Sequence, residues 1–95
     1  MMAADDRAER TLKIQNEKGF HAIPSTKFVQ IASKFPCEIT VVKGSNEVNG
    51  KSILSLLTLV APRGTQLTIR ARGEGAEEAI AKLAQLIEDK FGEGK

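Results

Sequence analysis

The chain has no tryptophan, no tyrosine, a single cysteine and a single histidine in 95 residues. Each shortage removes a class of function. Four phenylalanines are its whole aromatic complement, too few to build the stacking platform that holds single-stranded nucleic acid. A net charge of +2 falls short of the basic footprint of a nucleic-acid binder. Cys37 has no partner in the chain, so no intramolecular disulfide forms, and with one histidine there is no Cys/His zinc site either; no metal and no cofactor is expected. Apolar stretches such as Ile53–Leu57 are far too short to span a bilayer. The opening MMAADDRAER carries acids and lacks an apolar run, so it is not read as a secretory signal. The expectation is a protein of the reducing cytoplasm that makes no membrane insertion. No carboxylate dyad stands out either, which disfavours a small self-contained hydrolytic enzyme.

What is present fits one small domain. The hydrophobic fraction is 41% and the charged fraction 27%, ordinary globular composition. A chain this size buries about 60–70% of its unfolded surface, enough for a modest core. Met1 to Arg10 lacks periodicity and is read as a loose leader; residues 11–91 form the domain, and Gly92 to Lys95 fray. Thr11–Gln15 alternates as a half-buried strand. Phe28, Ile31, Ala32 and Phe35 recur at helical spacing, with Pro24 in the first turn and Pro36 ending the pattern near Phe35. Glu38–Lys43 is β-branched and reads as a strand, and Glu47-Val48 as its short return. Ser52 starts a short helix that runs to about Leu59. Gln66–Ala71 alternates again. Ala76 to about Phe91 carries the stripe Ala79, Ile80, Leu83, Leu86 and Ile87, with Glu77 and Glu78 facing the helix dipole. The order β-α-β-β-α-β-α predicts an α+β fold: a four-stranded, mostly antiparallel sheet with three helices on one face.

His21 follows Gly19-Phe20 and immediately precedes a helix that begins near Ala22. A helix start presents unpaired N–H groups and roughly half a positive charge. An anion brought to His21 meets the backbone N–H groups of Ala22 and Ile23. The same dipole disfavours positive charge on the ring, which leaves a neutral imidazole suited to accept a phosphoryl group. Gly19 lets the loop turn tightly and approach a ligand. The plainer alternative is a surface histidine or a weak cap.

Ser52 lies in Asn49-Gly50-Lys51-Ser52-Ile53-Leu54. As an N-cap it stabilises its helix by about 1 kcal/mol. Phosphate there faces the dipole yet adds about two negative charges to the surface. So short a helix cannot turn all of Ile53, Leu54, Leu56, Leu57, Leu59 and Val60 inward. Some of Ile53, Leu54 and Leu57 are expected at the surface, as a partner would require. Cys37 is read as small filler between elements.

These segments resemble a known family. Gly19-Phe20-His21-Ala22-Ile23-Pro24 resembles the G-x-H-A-R-P motif of the HPr family, the histidine-containing phosphocarriers of the phosphoenolpyruvate-dependent sugar phosphotransferase system. Lys51-Ser52-Ile53-Leu54-Ser55-Leu56-Leu57 resembles the segment around that family's regulatory serine. Gly64–Ile69, Gly73 and Glu77-Glu78-Ala79 are similar to its last strand and helix. The resemblance runs from about Arg10 to Phe91. It implies an open-faced β-sandwich. It implies that enzyme I passes a phosphoryl group to Nδ1 of His21, and that phospho-His21 donates it to an enzyme IIA domain. The chain is then a diffusing carrier, not a stand-alone enzyme. It also implies a docking face, for which Phe20, Lys27, Ile53, Leu54 and Leu57 are the candidates. An HPr kinase/phosphorylase would act on Ser52. The nitrogen-related paralogue shares the histidine motif.

The pattern breaks at one place. Where the family has arginine, two residues after the histidine, this chain has Ile23. Arginine gives phosphate a bidentate, charge-assisted contact, and isoleucine gives none. Lys18 or Lys27 is expected to compensate in part as a point charge. The same break supports a second reading, a regulatory binding module in which His21 is impaired and phospho-Ser52 carries the signal.

Overall fold

The structure, a computed structural model, describes residues 6–93. In chain order the elements are strand β1 (Arg7–Lys13), helix α1 (Ala22–Ala32), strands β2 (Glu38–Lys43) and β3 (Asn46–Asn49), helix α2 (Ile53–Thr58), strand β4 (Gln66–Arg72) and helix α3 (Ala76–Glu88). A short 3-10 turn, Lys90–Gly92, follows α3. The strands form one sheet in the order β1-β4-β2-β3. Every pairing in it is antiparallel. The predicted α+β sandwich is therefore the one the chain forms.

Two boundaries move outward. β1 starts at Arg7, inside the stretch read as a loose leader, and pairs residue for residue with β4 from Arg7 opposite Arg72 to Lys13 opposite Gln66. The exposed Arg10 interrupts the Ala8–Leu12–Ile14 alternation, which hides the strand from a period-two reading. Met1 to Asp5 lie outside the described residues. At the other end Gly92 and Glu93 do not fray: Gly92 N–H donates to Asp89 O at 3.0 Å, and Glu93 N–H to Lys90 O at 3.0 Å. Gly94 and Lys95 lie outside the described residues. Other boundaries move inward. β1 stops at Lys13, short of Gln15, and α3, read to about Phe91, stops at Glu88 because Lys90 and Phe91 take positive φ (both +56°). α1 ends at Ala32 because the next turn tightens, Lys34 N–H reaching Ile31 O at 3.1 Å and Phe35 N–H reaching Ala32 O at 3.2 Å. Pro36 bars the residue before it from continuing the helix.

The core sits between the sheet and the helices. Ile39 and Val41 of β2 and Leu67, Ile69 and Ala71 of β4 point inward, and Thr40 and Arg70 outward, as strand alternation requires. They meet Phe28 and Ala32 of α1, Leu56 of α2, and Ala79, Ile80, Leu83 and Ile87 of α3. Phe20 binds this core to the chain's end. Its ring packs edge-on against Phe28 and stacked on Phe91, each with centroids 5.5 Å apart. Among the described residues no helix covers the other face of the sheet. Its hollow of about 540 Å³ is lined by Arg7, Glu9, Glu38 and Arg70 among others, and Arg70 is paired to Glu9 at 3.0 Å. Exposed pairs of this kind add about 0–1 kcal/mol.

Candidate functional site

The loop between β1 and α1 is held by one buried side chain. Asn16 is fully buried and its amide donates to Gly19 O at 2.7 Å, while Gly19 N–H returns to Asn16 O at 3.1 Å. Gly19 has φ +72°, and a Cβ there would lie 2.4 Å from Ala61 O. No residue with a side chain fits that approach. The next N–H, of Phe20, donates to Ala61 O at 2.9 Å. Phe20 is thereby turned inward.

His21 is the N-cap residue of α1, with extended backbone (φ −92°, ψ −164°), and its carbonyl accepts the first helical bond from Ser25 N–H at 2.9 Å. Its side chain makes no capping bond, so the ring is not spent on the cap. Pro24 has no N–H. The N–H groups of Ala22 and Ile23 therefore begin the helix with no partner among the described residues. Ala22 and Ile23 are both exposed. These are the two N–H groups that the sequence reading places beside the histidine, and an anion brought there would meet both.

The ring itself has a neighbour. His21 Nε2 lies 3.0 Å from Glu93 Oε2, with the two side chains 32% and 21% exposed. The other carboxylate oxygen of Glu93 accepts from Asn16 Nδ2 at 2.9 Å. Partial burial pushes the Glu93 carboxyl up, but the hydrogen bonds from Asn16 and His21, with the charge of Lys27 and that of His21 when it is protonated, outweigh it and leave the group below its ordinary value. It stays ionised at neutral pH. Lys27 Nζ donates to Phe91 O at 2.6 Å. A cleft of about 420 Å³ is bounded by Glu17, Lys18, His21, Ile23, Lys27 and Glu93. Both lysines named as stand-ins for the arginine thus share one cleft with the histidine.

Other expected residues are placed less uniformly. Phe20 is a correction: it is 5% exposed and packed between Phe28 and Phe91, so it is a core residue and not part of a docking face. Ile53, Leu54 and Leu57 are 37%, 76% and 36% exposed. Leu56 and Leu59 are buried beneath them. Ile23 and Val60 are exposed as well, and α1 and α2 pack against each other. Ser52 caps α2, its Oγ accepting from Ser55 N–H at 3.2 Å. Burial pushes the Cys37 thiol up, against the nearby charge of Lys51, as befits an inert filler. Asn16 and Glu93 escape a reading of the sequence, one in a loop and the other in a tail.

The comparisons with known proteins concern the family and the fold. The family model described as "PTS HPr component phosphorylation site" matches residues 8–89. The chain belongs to the HPr family. The phosphocarrier protein HPr of Neisseria meningitidis is 41% identical over 87 residues, covering 92% of this chain and 98% of that one. The HPr-like protein Crh of Bacillus subtilis is 33% identical over 81 residues, covering 85% of this chain and 95% of its own. A crystal structure of HPr from Thermoanaerobacter tengcongensis superposes with a TM-score of 0.88 at 45% identity, over 90% of this chain and 97% of that one. HPr relatives are phosphotransferase-system proteins, so protein partners of that system are expected in general. No helix of the described residues is long and apolar enough to cross a membrane.

Proposed function

We propose that this chain is a cytoplasmic phosphocarrier whose His21 accepts a phosphoryl group from enzyme I and passes it to enzyme IIA domains. One observation carries the reading: an imidazole free of capping duty stands where α1 offers the unpaired N–H groups of Ala22 and Ile23. Those groups can hold the phosphoryl oxygens while a ring nitrogen attacks. Lys18 and Lys27 add positive charge to the same cleft. Exposed Ile23, Ile53, Leu54 and Leu57, with Lys27, supply a mixed apolar and basic surface for docking. The test is intact mass after incubation with enzyme I and phosphoenolpyruvate. One acid-labile phosphoryl gain is expected, and no gain with a competent enzyme I overturns the reading.

Ile23 sets the rate. Its side chain is 58% exposed beside His21 and offers phosphate no hydrogen bond. Ile23→Arg restores a charge-assisted donor of about 1.5–3 kcal/mol, lowered here by solvent. Acceptance is expected to quicken about tenfold. Stopped-time labelling of both proteins checks it, and equal rates exclude Ile23 as the lesion.

The absence of that arginine also supports a regulatory role for Ser52, phosphorylated by an HPr kinase/phosphorylase. Its Oγ already faces the start of α2, where phosphate is tolerated locally. The added charge lies next to Ile53 and Leu54 and is expected to weaken docking. An acid-stable phosphate on Ser52 and a lower affinity for enzyme I are the expected results. A chain that the kinase leaves unmodified removes this role.

A further inference from the structure

Phosphoryl acceptance as proposed above leaves unused the charged group that contacts the ring. Glu93 is separated from His21 by 72 positions in sequence, yet its Oε2 lies 3.0 Å from Nε2. The contact is built, not incidental. Asn16, fully buried, anchors the second carboxylate oxygen at 2.9 Å with the same amide nitrogen that holds Gly19 O. The 3-10 turn brings Glu93 there, with Phe91 sealed in the core and its carbonyl tied to Lys27 Nζ. A loop anchor, a core anchor and a helix lysine thus converge on the placement of one carboxylate.

An ionised carboxylate only accepts hydrogen bonds. Its partner nitrogen must therefore carry the proton. A neutral imidazole has one N–H, so a proton held on Nε2 leaves Nδ1 with its lone pair. Nδ1 has no hydrogen-bond partner among the described residues. We propose that Glu93 is a positioning residue that holds the proton of His21 on Nε2 and so presents Nδ1 as the nucleophile. The inference rests on the acceptor reading of His21 and deepens it.

The step balances without a proton leaving the ring. The Nδ1 lone pair forms the new N–P bond. The bond from phosphorus to the donor atom of enzyme I breaks, and its electron pair stays with that atom. The ring keeps Nε2–H and gains positive charge, and Glu93 sits against the edge that bears this proton. The carboxylate stabilises that charge as it develops. The two ring nitrogens face different edges of the imidazole, so Glu93 does not stand in the line of attack.

Two measurements on the intact chain decide it. Long-range ¹H–¹⁵N correlation reads which ring nitrogen of His21 is protonated at a pH where the ring is neutral. Labelling by enzyme I and phosphoenolpyruvate gives the rate of acceptance. The wild-type chain is expected to show Nε2–H. Glu93→Ala is expected to show a mixture of both tautomers and to accept the phosphoryl group about three- to tenfold more slowly, with thermal unfolding unchanged. Nδ1–H in the wild type overturns the inference, and so does an alanine variant in which tautomer or rate stays the same. A wild-type chain that is labelled but shows Nδ1–H removes only the role of Glu93. A chain with Nε2–H that takes no label removes the acceptor reading, and the role in transfer with it.

Discussion

Alanine in place of His21 is expected to abolish the acid-labile phosphoryl gain altogether while leaving the fold intact. The two halves of that expectation have separate grounds. His21 is the only histidine in the chain, so no second imidazole can take its place at the start of α1. The cradle of Ala22 and Ile23 N–H groups survives the substitution, but it can only hold an anion and cannot bond to phosphorus. The fold survives because the cap depends on the His21 carbonyl, which accepts Ser25 N–H, and alanine keeps that carbonyl. The side chain is about a third exposed and makes no cap bond. Stability should change by no more than about 1 kcal/mol, the range for a partly exposed ion pair such as the one lost with Glu93. Intact mass before and after acid treatment, with a thermal melt, checks both halves. A label that persists on the alanine variant would falsify phosphoryl transfer through this residue.

Phe91→Ala is expected to have the largest effect on stability. Phe91 is fully buried and stacks on Phe20, which in turn packs on Phe28. Deleting such a ring costs about 3–5 kcal/mol through lost burial and the cavity left behind. For a domain of this size that lowers the melting temperature by of order 20 °C. The effect should reach the site too. Phe91 has φ +56° and closes the 3-10 turn that sets Glu93 against His21 and Asn16. Below its melting temperature the variant should therefore accept the phosphoryl group more slowly, by about as much as Glu93→Ala. A denaturant titration and the same labelling assay measure the two effects. A loss of stability under about 1 kcal/mol would show that the ring is replaceable.

The sequence discloses this fold where the signal is local. The β4 alternation of Leu67, Ile69 and Ala71 and the α3 stripe through Ala79, Ile80, Leu83, Leu86 and Ile87 each recur at the period of their element, and all are buried except Leu86, which is partly buried. Ser52 and His21 were legible for the same reason, because a helix start depends on the few residues around it. The missed features depend on distant partners. Arg10 breaks the β1 pattern, and only pairing with Ile69 across the sheet makes it strand. Phe20 looks like a surface companion of His21 until the Gly19 turn points it inward. Asn16 and Glu93 are separated by 77 positions, and no periodicity links them. The missing arginine was visible at once; the carboxylate on the far side of the ring was not.

The reversal after α3 also bears on how this protein is handled. Glu93 itself stands against His21, so a fluorophore or other bulky group placed on that residue crowds the cleft that reacts. At the opposite end, β1 carries the chain from Arg7 to Lys13 toward the site, a strand of seven residues at about 3.4 Å each. An attachment before Arg7 therefore starts more than 20 Å along the sheet from the histidine loop. Kinetics measured with a bulky group on Glu93 would report that group as well as the chemistry.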